Sequence, residues 1–156
     1  MTIKLPANRI ARYDIAEIFD LINSDKVQTE EDAIIVLQAY KTPELEWYLQ
    51  VMYSDDVKWK FGDKLPRWKP SVFDRGNTFS TAQHQLPRLR GLIVGTRPDM
   101  NEAKAREIFL NVMEVIYKDE AKWIGYLVRK SAERKIKFMS RELIDRAFPG
   151  MLCPKA

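Results

Sequence analysis

Six of the thirteen residues 129–141 are basic and one is acidic: Arg129, Lys130, Arg134, Lys135, Lys137 and Arg141 surround Glu133. They open the segment RKSAERKIKFMSRELIDRAFPG, residues 129–150, which turns into a short amphipathic helix that stops at Pro149-Gly150. Like charges repel, so a crowd of cations is either a solvated surface or a site that an anion relieves. A polyanion suits such residues, because Lys and Arg at phosphates release condensed counterions and affinity then falls steeply with salt. The N–H groups at a helix start add donors for phosphate oxygens. Ser140 either caps the helix behind it or donates to phosphate. Arg141 stands beside it.

Residues suited to other chemistry do not assemble. His84 is the only histidine and Cys153 the only cysteine. The two lie far apart in sequence, and Gln83 and Gln85 do not orient the imidazole as a base, so thiol catalysis has no basis. No His, Cys and carboxylate set has zinc spacing. KFGDK and FDRGNT place a glycine near charge but are not phosphate loops of the GxxxxGK[ST] kind. Asp55-Asp56 either holds a divalent ion or ends a helix as solvated surface. Glu30, Glu31 and Asp32 are explained by the helix dipole before any acid-base role. The expectation is a chain that is not an enzyme, with no cofactor and no metal.

The elements that must position the cations follow from periodicity. Ile15, Ile18, Phe19 and Ile22 mark a helix face. Thr29 caps a helix carrying Ala33, Val36, Leu37 and Tyr40. Thr42-Pro43 opens a third, with Leu45, Tyr48, Leu49 and Met52 as its stripe. Residues 58–85 are broken by Gly62, Pro66, Pro70 and Gly76 and form one long loop. That loop carries Lys58, Lys60, Lys64, Arg67, Lys69 and Arg75, interleaved with Trp59, Phe61, Trp68 and Phe73. Its aromatic rings either anchor the loop on the core or stack on bases. LPRLRGLIVG is a helix with Arg88 and Arg90 projecting and Gly95 as its C-cap. Ala105, Ile108, Phe109, Val112, Met113 and Ile116 define the strongest helix. A sixth starts at Asp119 or Glu120, with Ile124, Leu127 and Val128 inward. SRELIDRAF, capped by Ser140, is the last. No strand pattern, repeat or low-complexity run is present. The fold class is all-α: a single compact domain spanning residues 1–156, about six to seven helices and one long basic loop.

Composition agrees. The chain has 156 residues, 46% of them hydrophobic. That length is one ordinary domain, burying roughly 70% of the surface its unfolded form exposes. No run approaches the roughly 20 apolar residues of a membrane span, and MTIKLPANRIARYD lacks a signal-peptide core. The cytoplasm of a bacterium, or of a phage-infected one, is expected. A lone cysteine excludes an internal disulfide and fits a reducing compartment. Charge is segregated. Residues 14–57 hold eleven acids and two bases, residues 58–156 hold twenty-one bases and eleven acids, and the net is +4. Such a one-sided field suits a polyanion.

Taken in order, LQAYKTPELEWYLQVMYSDDVKWKFGDKLP, LPRLRGLIVG and AREIFLNVMEVIYKDEAKWIGYLVRKSAERKIKFMSRELIDRAFPGML resemble the N-terminal DNA-binding domain of ATP-dependent DNA ligases, the phage enzymes above all. The resemblance covers most of residues 30–156. In the family the closing element is Arg-x-Leu, a small-residue turn with glycine, a helix, and PGLIP. Here it is Arg134-Lys135-Ile136, then Lys137-Phe138-Met139-Ser140, a helix, and Pro149-Gly150-Met151-Leu152-Cys153-Pro154. The family's glycine is replaced near Phe138 or Met139. The resemblance implies a helical domain that grips duplex DNA, nicked or continuous, across the minor groove through phosphates and with little sequence preference. No Lys-x-Asp-Gly nucleophile motif occurs, so ligation by this chain alone is not expected. The DNA-contacting set is Lys58, Lys60, Lys64, Arg67, Lys69, Arg88, Arg90, Arg129, Lys130, Arg134, Lys135, Lys137, Ser140 and Arg141. Such a protein is an accessory in replication, repair or ligation. The alternative is an interaction module that docks its acidic half on a ligase, a sliding clamp or another replication protein.

Overall fold

A computed structural model describes residues 13–54, 57–62, 64–74, 77–94 and 100–152. Among these the order is α1 (Ile15–Asn23), α2 (Glu30–Ala39), α3 (Pro43–Met52), α4 (Leu86–Arg90), α5 (Glu102–Val115), α6 (Lys118–Val128), a 3-10 turn (Glu133–Lys135) and α7 (Arg141–Ala147). The class is all-α. The one strand-like feature among the described residues is an isolated antiparallel bridge between Trp59 and Ile93.

The chain gathers into two units. One comprises residues 1–54 and 130–156, the other residues 55–129.

In the first unit the helix starts are written in the sequence. Asp14 and Glu17 form a capping box: the N–H of Glu17 donates to Asp14 Oδ1 at 2.8 Å, and the N–H of Asp14 donates to Glu17 Oε1 at 3.3 Å. Thr29 accepts from the N–H of Asp32, Thr42 from Leu45 and Ser140 from Leu143, each satisfying a donor that the first turn leaves over. Ile15, Ile18, Phe19 and Ile22 of α1 are buried, as are Val36 and Leu37 of α2 and Leu45, Tyr48 and Leu49 of α3. Each such side chain contributes about 1.5–3 kcal/mol. The N–H of Ile15 donates to the buried Glu44 carboxylate at 3.2 Å, which ties the start of α1 to the start of α3.

The second unit is built on aromatic rings. Phe61 is fully buried, 4.5 Å from the ring of Phe109 on α5 and 5.7 Å from Trp59. Around them the N–H of Lys60 donates to Leu92 O, and that of Val94 to Lys58 O, both at 2.8 Å. This pairing explains why α4 ends at Arg90 rather than continuing to the expected Gly95: past Gly91 the backbone leaves the helix to meet residues 58–60. Gly95 itself lies outside the described residues, as do Cys153 and Asp55-Asp56.

Trp68 lies against α6. A Cβ at Gly125 would sit 2.9 Å from the Trp68 ring, so only glycine lets the indole reach the helix backbone. The ring also meets Phe109 edge-on at 6.3 Å. Gly125→Ala forces the indole away, and overpacking of this kind costs about 1–3 kcal/mol. A lowered urea midpoint at unchanged m-value is expected; an unchanged midpoint would show that the ring is free to leave.

Candidate nucleic-acid interface

The cations that the sequence groups together divide into two kinds. In the unit that contains residues 130–152, several point inward at the protein's own helix ends. The α1, α2 and α3 helices each have acidic residues in the first turn and no basic residue in the last. Their C-terminal carbonyls therefore lack the positive charge that the helix dipole favours. Residues 137 and 141 supply it from a distance. The Lys137 ammonium donates to the carbonyl of Ser24, the C-cap of α1, at 3.1 Å. The Arg141 guanidinium donates to the carbonyl of Tyr53, the C-cap of α3, at 3.1 Å.

Further bonds fasten the same segment. Asn23 clamps the turn from both sides: its Oδ1 accepts from the N–H of Lys137 at 2.7 Å and its Nδ2 donates to Lys135 O at 2.9 Å. Gln38 donates to Ala147 O at 2.8 Å. Arg146 reaches Glu30 at 3.1 Å and Glu31 at 3.0 Å. The Arg146 hydrogen bond holds the Glu31 carboxyl below its usual range. Burial first, and the nearby Glu133 carboxylate second, push the Tyr53 phenol far up, so it stays neutral.

Ser140 acts as a cap. Its hydroxyl takes the Leu143 N–H, the capping role rather than the phosphate role. Phe138 has φ +64°, a left-handed conformation that glycine adopts freely and other residues at a cost. Arg134 and Lys135 are exposed on the 3-10 turn, and Lys130 is exposed with φ +58°.

In the second unit Lys58, Lys64, Arg67, Lys69, Arg90 and Arg129 are exposed. Lys60 is half-buried beside the Trp59 bridge. Arg88 is half-buried and held by Gln85 at 3.1 Å and Asn111 at 2.8 Å. His84 is exposed in a turn. Of the loop aromatics, Trp59 and Phe61 anchor in the core and Trp68 lies on Gly125, while Phe73 and Phe79 are exposed.

One grouping emerges that residue-by-residue inspection of the sequence misses. Lys118, Lys122, Gly125 and Arg129 recur at spacings of four, three and four on α6 and its C-cap. At about 100° per residue they share one arc of roughly 60°, and at 1.5 Å per residue they run for about 16 Å. All three cations are exposed. Trp68 covers the glycine in the middle of the row, with Arg67 and Lys69 on either side of it in the chain. The Lys69 N–H is fixed by the Glu114 carboxylate at 3.0 Å. The result is a row of exposed cations along one face of α6. Lys118 and Lys122 were legible in the 4-3-4 spacing of KDEAKWIGYLVR.

Charge by unit matches this division. The unit of residues 1–54 and 130–156 holds twelve Lys and Arg against twelve Asp and Glu, whereas residues 55–129 hold fourteen against ten and so carry the whole +4. The segregation seen along the sequence is largely cancelled where the basic end folds onto the acidic start.

Among the described residues no group of three His, Cys, Asp or Glu side chains could hold a metal ion. No helix among them is long and apolar enough to cross a membrane. No protein-family model, no curated protein and no solved structure matches the chain.

Two outcomes follow. Arg141→Met, which keeps bulk but removes the donor, should lower stability by about 1–2 kcal/mol, the value of a partly buried cation at a helix end; urea unfolding reads it, and no change would show the contact to be idle. Glu31→Gln gives the pH test. Because the folded carboxyl titrates below its ordinary 4.5, its contribution is present above that value and is lost as pH falls through the folded one. The melting-temperature gap between wild type and Glu31→Gln should be open at neutral pH and narrow progressively as pH falls below the ordinary carboxylate range; a gap that stays constant into acid would remove the Arg146 pair as its cause.

Proposed function

We propose that this chain is a non-catalytic duplex-DNA-binding protein that holds the phosphate backbone with little sequence preference. The observation that carries the reading is the stripe of exposed Lys118, Lys122 and Arg129 on α6. A duplex carries one negative charge per ~1.7 Å of axis, so a 16 Å row of cations matches about five base pairs of backbone. Side chains that reach phosphates fix position without reading bases, which makes the grip indifferent to sequence.

The role that fits is an accessory in replication, repair or ligation, acting in bacterial or phage-infected cytoplasm. Kinship to the ligase DNA-binding domain belongs to the same proposal and rests on the sequence resemblance. The positive φ at Phe138, in the turn where that family has glycine, is in keeping with it. The competing idea, docking on a ligase or clamp through the acidic half, has less to draw on. Asp32 and Glu44 are buried, and Glu30 and Glu31 face Arg146.

The test is a salt titration of binding to a fluorescent duplex. The triple variant Lys118→Ala, Lys122→Ala, Arg129→Ala should flatten the log–log salt slope by about 2 to 3, at roughly 0.9 per phosphate contact. Its melting temperature should hold, since all three side chains are exposed. An unchanged slope, or no binding by wild type at about 50 mM salt, would contradict the proposal.

A further inference from the structure

An apolar tip stands out on the second unit. Val72 is 85% exposed, Phe79 80% and Phe73 44%. The two phenyl rings meet edge to face, 5.4 Å apart at 88°. Large apolar side chains left in water in one cluster mark a contact surface. Bonds to α5 fix residues on both sides of them. On one side, the N–H of Lys69 donates to the Glu114 carboxylate at 3.0 Å; on the other, the N–H of Ser80 donates to Val115 O at 3.0 Å. Both feet of the loop thus stand on adjacent residues at the end of α5. Short bonds brace the flanks: the N–H of Phe73 to Ser71 Oγ at 3.2 Å, Asn77 N–H to Asp74 O at 2.9 Å, and Thr78 Oγ1 to Ser80 O at 2.7 Å.

The place of the feet selects the occupant. Val115 is three residues before Lys118, where the cationic stripe of α6 begins. The loop that bears the apolar tip is therefore anchored within four residues of chain from Lys118. Two rings and a valine are far smaller than the roughly 800 Å² per partner of a stable protein interface. They are the size of a base step. Proteins that hold a duplex by its phosphates also insert apolar side chains between base pairs, unstacking them and bending the helix.

We propose that Phe73 and Phe79 form a wedge that enters duplex DNA at a base step while the α6 stripe holds the adjacent phosphates. This rests on the DNA-binding reading and adds to it a mechanical consequence: binding unstacks bases, so the protein favours sites where stacking is already broken, such as a nick.

The experiment uses the full chain and a duplex carrying 2-aminopurine, whose fluorescence rises when it is unstacked. Wild type should brighten the probe several-fold and bind a nicked duplex at least several-fold more tightly than an intact one. Phe73→Ala with Phe79→Ala should lose both effects while keeping the salt slope of wild type, and its melting temperature should hold because neither ring is in the core. Salt-dependent binding with no brightening, or brightening that survives the double change, would overturn the wedge and leave the phosphate grip standing. Absence of salt-dependent duplex binding, with ring-dependent sedimentation on anionic lipid vesicles instead, would overturn wedge and grip together.

Discussion

The ends of helices α1 and α3 impose a constraint that organises the first unit. A helix leaves its last carbonyls without partners, and its dipole makes that end negative. These helices begin with acids and end without bases, so nothing local answers the need. Lys137 and Arg141, more than eighty residues away in sequence, supply both cations and donors. Asn23 fixes the turn that presents Lys137, and Arg146 draws α7 toward the acidic start of α2. The crowd of like charges at residues 129–141 is thus tolerable in part because the fold turns two of its members onto carbonyls of its own helix ends.

That internal use of charge decides where an external anion would find attraction. A unit with equal numbers of acids and bases has little net field to offer a polyanion. The unit of residues 55–129 carries the surplus and arranges part of it on one face of α6. Packing makes the arrangement rigid. Gly125 admits the Trp68 indole, and Phe109 meets its edge. The same α5 helix that supports Phe61 and Phe109 in the core bears both feet of the exposed Phe73 and Phe79 loop.

Helix starts were legible in the sequence because their signals are local. Asp14, Thr29, Thr42 and Ser140 each cap within three residues, and apolar spacing fixes which faces are buried. The end of α4 was not legible, since what stops it is pairing with residues 58–60, thirty positions earlier. The same distance in sequence hides the roles of Lys137 and Arg141: a cation looks identical whether it faces a phosphate or a carbonyl of its own chain. Aromatic residues in the 58–85 loop look alike too, yet Trp59 and Phe61 are core, Phe61 packing on Phe109 of α5, and Phe79 is solvent-exposed. The stripe was present in the helical period of α6 but its members are separated by acids and apolar residues, and density of charge along the chain draws attention elsewhere.

The most direct test is a residue-resolved footprint. Amide signals of the isotope-labelled protein are followed by nuclear magnetic resonance while a short duplex is added at low salt. Perturbations confined to residues 67–69, the 71–79 loop and α6 with Arg129 are the predicted result. Perturbations centred instead on residues 134–146, or no perturbation at all, would contradict the division of cations between internal helix ends and an external polyanion.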